Sequence, residues 1–311
     1  MLFCVFSYNR GRYLENCIDS IERCAPEAGI AIFDDNSDDA DTVALLADLG
    51  RHYPVIQPEK DSYGRLGGLY GNMQRALIFS QDQGQNLVCY LQDDTQMVRP
   101  FSVDDEKNME RIFASNENTG FVHPCFLRGR NRSRDVQQMT YDDRAGVYYR
   151  QGTRKQVGVH FSALHVMQPA RLMARGWSFL ESEPRNDAQA QRLFGPMAYL
   201  HKPFAMWLPE VPAYRGKRKT WALNRAERER QSGYFPFRTL DEAAERALAE
   251  RPRQHAPFAE DVLECVEVTP AKPWAYHPMQ GSRWLQRLSS MENALLRWVK
   301  ALRGQRHRSA R

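Results

Sequence analysis

Residues 2–8 (Leu-Phe-Cys-Val-Phe-Ser-Tyr) form an apolar run without polar alternation, and it stops at Asn9-Arg10-Gly11. A strand that is apolar on both faces suits a parallel sheet covered by helices on either side. Leu14, Cys17, Ile18 and Ile21 then recur at helical spacing, and Ile30 to Phe33 makes a second short strand after Gly29. Strand, helix and strand in so short a stretch form a βαβ unit. The pattern repeats. A helix over 39–49 is entered through Asp and Ser capping residues, and Val55-Ile56 is a weak third strand. A helix over 67–80 carries Leu69, Met73, Ala76 and Leu77 on one face, and residues 87–91 form a strongly apolar strand.

The next hundred residues are more mixed. The pattern predicts a helix over 104–115 and strands near 120–126, 146–150 and 157–166. Helices near 168–175 and 186–194 and an apolar run at 204–208 follow. Residues 128–144 are polar and rich in Arg and Asp, which reads as a surface loop. After Pro212 the composition shifts, since Arg215 to Arg230 holds seven Lys/Arg and two Glu. A soft boundary therefore falls near 212, with a basic, mostly helical extension over 213–311. The last helix carries Trp284, Leu288, Met291, Leu295, Trp298 and Leu302 as an apolar seam, flanked by Arg283, Arg287, Arg297, Lys300 and Arg303. Such a helix can dock on its own domain, pair with another subunit or lie on an anionic membrane surface.

Charge adds a restriction. The net charge is +5, but residues 297–311 hold six Lys/Arg and no acid; removing those six from 43 leaves 37 basic against 38 acidic side chains. Basicity is thus a property of the tail, and nucleic acid is not an expected partner. The six cysteines are scattered without a CxxC pair or zinc-ligand spacing, and two of them, Cys4 and Cys89, sit in apolar strands. That usage points to a reducing, cytoplasmic setting, peripheral at most to the inner face of a membrane. The chain shows no charged leader followed by an apolar stretch, and no run of about 18 apolar residues.

Ligands of open α/β sheets bind at the carboxyl ends of strands. Tyr8, Asp34-Asp35 and Asp93-Asp94 all fall at such ends. Two adjacent carboxylates repel each other, and a hard divalent ion with substrate phosphates relieves that repulsion. Asp34-Asp35-Asn36-Ser37-Asp38-Asp39 lacks the Gly and Glu of a calcium loop; its later residues read as a helix cap, its first two as a strand mouth.

In order, Phe6-Ser7-Tyr8-Asn9, Leu14, Ser20, Ile21, Ile32 to Ser37, Gly64 to Asn72 and Tyr90-Leu91-Gln92-Asp93-Asp94 resemble the family 2 glycosyltransferases of GT-A fold. The resemblance covers residues 1–100 well and 100–210 loosely. It implies a Rossmann-like mixed α/β sheet flanked by helices, with 1–100 as the nucleotide-sugar half and 101–212 as the half for acceptor and base. It also implies an inverting, Mn²⁺- or Mg²⁺-dependent enzyme using a nucleotide-sugar donor, UDP-sugar favoured. Phe6 and Tyr8 would border the base, Asp35 would bind its N–H, and Arg65 would approach the base or diphosphate. Asp93 would contact the ribose or the metal's water shell, and Asp94 would ligate the ion. Thr95 departs from the family, where many relatives carry a third acid. The general base falls on Asp187, with Glu183 and Glu181 just before it. Arg215-Gly216-Lys217-Arg218-Lys219 could close over a diphosphate or be solvated linker. Family habit gives the acceptor as a glycan or lipid-linked glycan of a bacterial surface polysaccharide or lipopolysaccharide, with 283–311 offering peripheral membrane contact. His160 and His165 read as core or rim residues. Two other readings use the same strand ends: a sugar nucleotidyltransferase, and a non-catalytic glycan- or membrane-binding module.

Overall fold

The computed structural model describes residues 1–58, 68–152, 158–213 and 219–308. The first half runs β1 (Leu2–Ser7), α1 (Gly11–Cys24), β2 (Gly29–Asp34), α2 (Ala40–Leu49), β3 (Val55–Ile56), α3 (Leu69–Asp82) and β4 (Val88–Gln92). Next come β5 (Thr95–Met97), α4 (Val103–Ser115) and β6 (Val122–His123). A short 3₁₀ turn (Gly129–Asn131) leads into α5 (Arg132–Gln138), β7 (Met139–Asp142) and β8 (Val147–Arg150). Then come β9 (His165–Met167), α6 (Pro169–Ala174), α7 (Glu183–Leu193), β10 (Ala198–Leu200) and β11 (Ala205–Trp207). Four helices follow: α8 (Trp221–Glu229), α9 (Glu242–Glu250), α10 (Ala259–Val262) and α11 (Arg283–Arg308).

The apolar first strand is explained by what covers it. Successive residues of a strand face opposite sides. Phe3 and Val5 pack with Leu14, Cys17, Ile18 and Ile21 of α1. Leu2, Cys4 and Phe6 pack on the other side with Met73, Ala76 and Leu77 of α3. With both faces buried, no polar position can be tolerated, so the alternation disappears.

Nine strands form one mixed sheet in the order β3-β2-β1-β4-β9-β6-β10-β8-β7, and β11 pairs with β5 in a second, two-stranded sheet. β1 is parallel to both β2 and β4, with Phe6 opposite Phe33 on one side and Gln92 on the other. The chain leaves β1 for β2 on one side and later enters β4 on the other. That makes the β1–β4 boundary a topological switch point, where the loops diverge and leave a crevice. β4 then pairs antiparallel with β9, which makes the sheet mixed.

One reading of the sequence is corrected here. Residues 128–144 are not a plain surface loop but a 3₁₀ turn, α5 and β7, with Asp135 fully buried and paired to Arg134 and Arg150. Asp135 is the one buried residue in this stretch, and composition alone cannot tell its charge from the exposed charges around it. Packing also runs across residue 212. Phe237, Leu240, Leu248, Leu263, Cys265 and Trp274 lie in the same cluster as Phe3 and Val5. Gln96 fixes that return by donating to Phe237 O (2.7 Å) and accepting from Phe237 N (2.9 Å).

α8 and α11 form a small cluster of their own, through Ala222, Ala226 and Leu285. Thr220 and Ser289 hydroxyls meet at 2.9 Å, and Glu292 accepts from Trp221 N (3.1 Å) and Ala222 N (3.2 Å) at the start of α8. Trp284, Met291, Leu295 and Trp298 remain exposed. No helix among the described residues is long and apolar enough to cross a membrane.

Candidate functional site

Two backbone hydrogen bonds carry the parallel pairing past the strand ends. Asp35 N donates to Ser7 O (3.0 Å) and Asp93 N to Phe6 O (2.9 Å), which sets Tyr8, Asp35 and Asp93 side by side at the crevice. Asn9 adopts φ 50°, a left-handed conformation that Asn tolerates better than most residues. Its Oδ1 accepts from Asp38 N (2.8 Å) and Asp39 N (3.0 Å), so the end of β1 is tied to the loop entering α2.

Three charges meet at the switch point. Arg10 Nη1 donates to Asp94 Oδ2 (2.7 Å) and Asp93 Oδ1 (3.3 Å), while Tyr8 N donates to Asp93 Oδ2 (3.2 Å). Burial pushes Asp93 up to about 7; Arg10 opposes the shift and the charge on Asp94 adds to it. Burial works against the charge on Arg10, but Asp93 and Asp94 outweigh it and hold the guanidinium protonated. Asp94 Oδ1 is buried without a hydrogen-bond partner. A buried carboxylate oxygen left unpaired costs on the order of 1–3 kcal/mol or more, so it marks a place for a donor or cation.

Do these residues fit a metal? Among the described residues no group of three or more His, Cys, Asp or Glu could hold one. An all-protein cage is therefore not formed among the described residues. Mg²⁺ and Mn²⁺ sites, however, commonly use one or two carboxylates and take the remaining ligands from phosphate and water. The orphaned Asp94 Oδ1 beside Asp93 fits that kind of site.

The neighbouring acids divide by role. Asp34 is fully buried and accepts from Ser37 N (2.7 Å) and Gln57 Nε2 (2.9 Å), so it shapes the turn. Asp35 is half-buried; burial raises its pKa, and the N–H of Gly68 opposes that shift. The Phe6 ring lies in the core, 4% exposed, between Phe33 and Tyr90. Arg65 and residues 215–218 of the basic cluster lie outside the described residues; Lys219 pairs with Glu227 at 2.8 Å.

Asp187 and Glu183 both sit on α7, yet their surroundings differ. Asp187 Oδ1 accepts from three backbone N–H groups, those of Gly158 (3.1 Å), His160 (2.9 Å) and Phe161 (3.0 Å). It is 9% exposed and anchors the chain that enters β9. Glu183 lies in the first turn and lines a cavity of about 180 Å³ with His123, Arg128, Arg150 and Trp207. Burial raises its pKa and Asp187 adds to the shift, while Arg128 and a hydrogen bond from the Ala163 N–H oppose it. Trp207 pairs with Thr95, and Leu208 N donates to Asp94 O (2.8 Å), so this cavity shares a wall with the carboxylate pair. His165 is fully buried among Tyr90, Phe121, Phe161 and Phe179, with Nδ1 2.7 Å from Ser162 O. His160 is half-buried and donates its backbone N–H to Asp187.

No family model matches the chain, and no curated protein matches it. Among solved structures, S. aureus TarS residues 1–349 aligns at 14% identity and TM-score 0.45, over 66% of this chain and 59% of that one. The same TarS fragment in complex with UDP aligns at 16% identity and TM-score 0.44, over 66% and 60%. The mannosyltransferase PcManGT from Pyrobaculum calidifontis, in complex with GDP-Man and Mn²⁺, aligns at 14% identity and TM-score 0.40, over 82% and 65%. The chain therefore spans about three-fifths of the length of the TarS fragment. Likenesses this distant leave the functional argument to the residues themselves.

Three arginines were not legible as site residues. Arg10 follows the Tyr8-Asn9 strand end, and its position there was a usable signal. Arg128 and Arg150 lie far along the chain from Glu183, whose cavity they share, in segments where an Arg reads as ordinary charge.

Proposed function

We propose that this chain is a glycosyltransferase that moves a sugar from a nucleotide-diphosphate donor to a glycan acceptor with inversion, UDP-sugars being favoured. The observation that carries the reading is the unpartnered Asp94 Oδ1 beside Asp93, at the β1–β4 switch point and one strand away from Asp35. In this reading Asp35 accepts a base N–H and Tyr8 borders the ring. Asp94 holds Mn²⁺ or Mg²⁺, with Asp93 beside it. A bound divalent ion would offer positive charge to the departing diphosphate. Arg10 already compensates the pair in its absence.

The base role moves from Asp187 to Glu183. A general base needs an oxygen free to accept a hydroxyl proton, and its strength increases as its pKa is raised toward working pH. Asp187 Oδ1 is engaged by three N–H groups, whereas Glu183 lines the cavity and is shifted upward by burial. One carboxylate of this kind with no evident nucleophile suits single displacement, hence inversion.

Attachment to an anionic membrane surface by α11 belongs to the same reading. Trp284, Met291, Leu295 and Trp298 stay exposed next to Arg283 and Arg287, an apolar and cationic combination suited to such a surface. The acceptor would then be a membrane-linked surface glycan, and the enzyme would work at the cytoplasmic face.

The test is a thermal-shift screen of nucleoside diphosphates and nucleotide sugars with and without Mn²⁺, since a ligand of the native state raises stability by mass action. UDP-sugars should stabilise most, and only with metal; no Mn²⁺-dependent shift from any nucleotide would overturn the proposal. Pyrophosphate released from a nucleoside triphosphate and a sugar phosphate would instead identify a nucleotidyltransferase.

A further inference from the structure

The cavity beside Glu183 has an unusual charge pattern. Arg128, Arg134 and Arg150 line it together with Asp135 and Glu183. Asp135 is fully buried and bonds both Arg134 (2.8 Å) and Arg150 (3.3 Å), so one carboxylate serves two guanidiniums. Arg150 is itself only 8% exposed, and its Nε is buried without a partner. Arg128 stacks against Trp207 (4.1 Å) and Tyr276 (4.7 Å) and has no ion pair or side-chain hydrogen bond among the described residues. Stacking uses the flat faces of a guanidinium. Its five N–H donors lie in the plane, where they suit the oxygens of a phosphate or carboxylate.

Arg150 Nη1 is engaged by Gly158 O (2.8 Å), so the free donors are those of Arg128 and Arg150 Nε, and a neutral sugar hydroxyl would need neither them nor a third guanidinium beside two carboxylates. We propose that the cavity is an acceptor subsite for an anionic group, phosphate or carboxylate, held by Arg128 with Arg150 and Arg134, so that the neighbouring hydroxyl lies against Glu183. This inference rests on the glycosyltransferase reading and names its acceptor class. The position of the cavity favours the acceptor over the donor. The nucleotide features, Tyr8 and Asp35, stand over β1 and β2, whereas the cavity opens on the β6, β10 and β8 side, beyond Trp207. Glu183 and the arginines then work together, because an anion on Arg128 removes the charge that otherwise stabilises the Glu183 carboxylate.

Calorimetry at pH 8 on the full chain tests it, with glycerol 1-phosphate and glucose 6-phosphate as probes, glucose as the neutral control, and UDP with Mn²⁺ as the donor control. Both phosphate esters should bind, glucose should not, and Arg128→Gln should weaken the esters at least tenfold while leaving UDP affinity unchanged. Glu183→Gln should tighten them severalfold, since it removes a negative charge from the same cavity. A general structural disturbance would not move the two variants in opposite directions. Equal binding of glucose, or ester affinity indifferent to both substitutions, would overturn the subsite. Loss of UDP affinity in Arg128→Gln would also overturn it, by placing the cavity in the donor site. So would Arg128-dependent preference for a UDP-uronic acid over a UDP-hexose, which would put the anion on the donor sugar. Arg128-dependent ester binding without any nucleotide binding would sustain the anion subsite while ending the donor assignment.

Discussion

Arg10 Nη1 stands 2.7 Å from Asp94 Oδ2, so a guanidinium from the end of the first strand offsets one of the two negative charges at the end of the fourth. Removing one partner of a buried charge cluster leaves the others uncompensated, at roughly 3–5 kcal/mol. Arg10→Ala should therefore lower the melting temperature in metal-free buffer. Mn²⁺ should restore more stability to this variant than to the wild type, because it replaces the missing positive charge. Equal Mn²⁺ shifts in both proteins would contradict a cation site at these acids.

Asp94→Asn keeps the shape of the turn but removes the charge facing the orphaned oxygen position. Mn²⁺-dependent UDP binding should weaken at least tenfold in calorimetry, since hydrogen bonds and ligation to charged oxygens are worth roughly 1.5–3 kcal/mol. Unchanged affinity with Mn²⁺ would move the metal elsewhere.

The two carboxylates of α7 should separate cleanly under mutation. Asp187→Ala leaves three backbone N–H groups without their acceptor and should cost roughly 3 kcal/mol or more of stability, read as a lower urea midpoint. Glu183→Gln should melt close to the wild type and bind UDP normally, yet lose roughly 10²–10⁴-fold in transfer rate. Full turnover in Glu183→Gln would return the base to Asp187.

Stability should also fall with acid because of two buried histidines. Burial holds His123 down at about 3 and His165 down at about 4, against an unfolded value near 6.5. Below about pH 6.5 the unfolded chain binds protons that the folded chain refuses, so unfolding becomes easier as pH falls toward those folded values. Between pH 7 and pH 5 each histidine should contribute about 2 kcal/mol of that loss. His165→Phe, which also removes an unpartnered buried Nε2, should flatten the urea-midpoint profile over this range. An identical pH slope in the variant would assign the acid sensitivity to other groups.

Membrane attachment can be tested without disturbing the packing of α11 on α8. Met291 and Leu295 are exposed by 69% and 60%, away from Leu285, which is buried against Ala222 and Ala226. The double change Met291→Asp and Leu295→Asp should abolish sedimentation with phosphatidylglycerol vesicles and leave the melting temperature near that of the wild type. Undiminished sedimentation would rule out this face.

The first hundred residues were legible because their signals are local. Unalternating apolar runs at 2–8 and 87–91, with acids directly after strands, mark a buried parallel sheet and its carboxyl edge. The second half was harder. Its short strands β6, β9 and β10 have two or three residues each, too few to show a period. The buried charge of Asp135 read as loop because polarity, not burial, is what a sequence displays.

The sequence by itself determined the βαβ frame, the carboxylates Asp35, Asp93 and Asp94 at its strand ends, and a C-terminal helix with an apolar seam. Tertiary structure alone decided which groups share a space. It set Arg10 against Asp94, engaged Asp187 with three N–H groups, left Glu183 in a cavity with Arg128, and returned residues near 237 and 274 to the first core. The reason is physical. Periodicity and strand-end chemistry are encoded within a few residues, whereas partnership between charges depends on chain segments brought together only when the sheet closes.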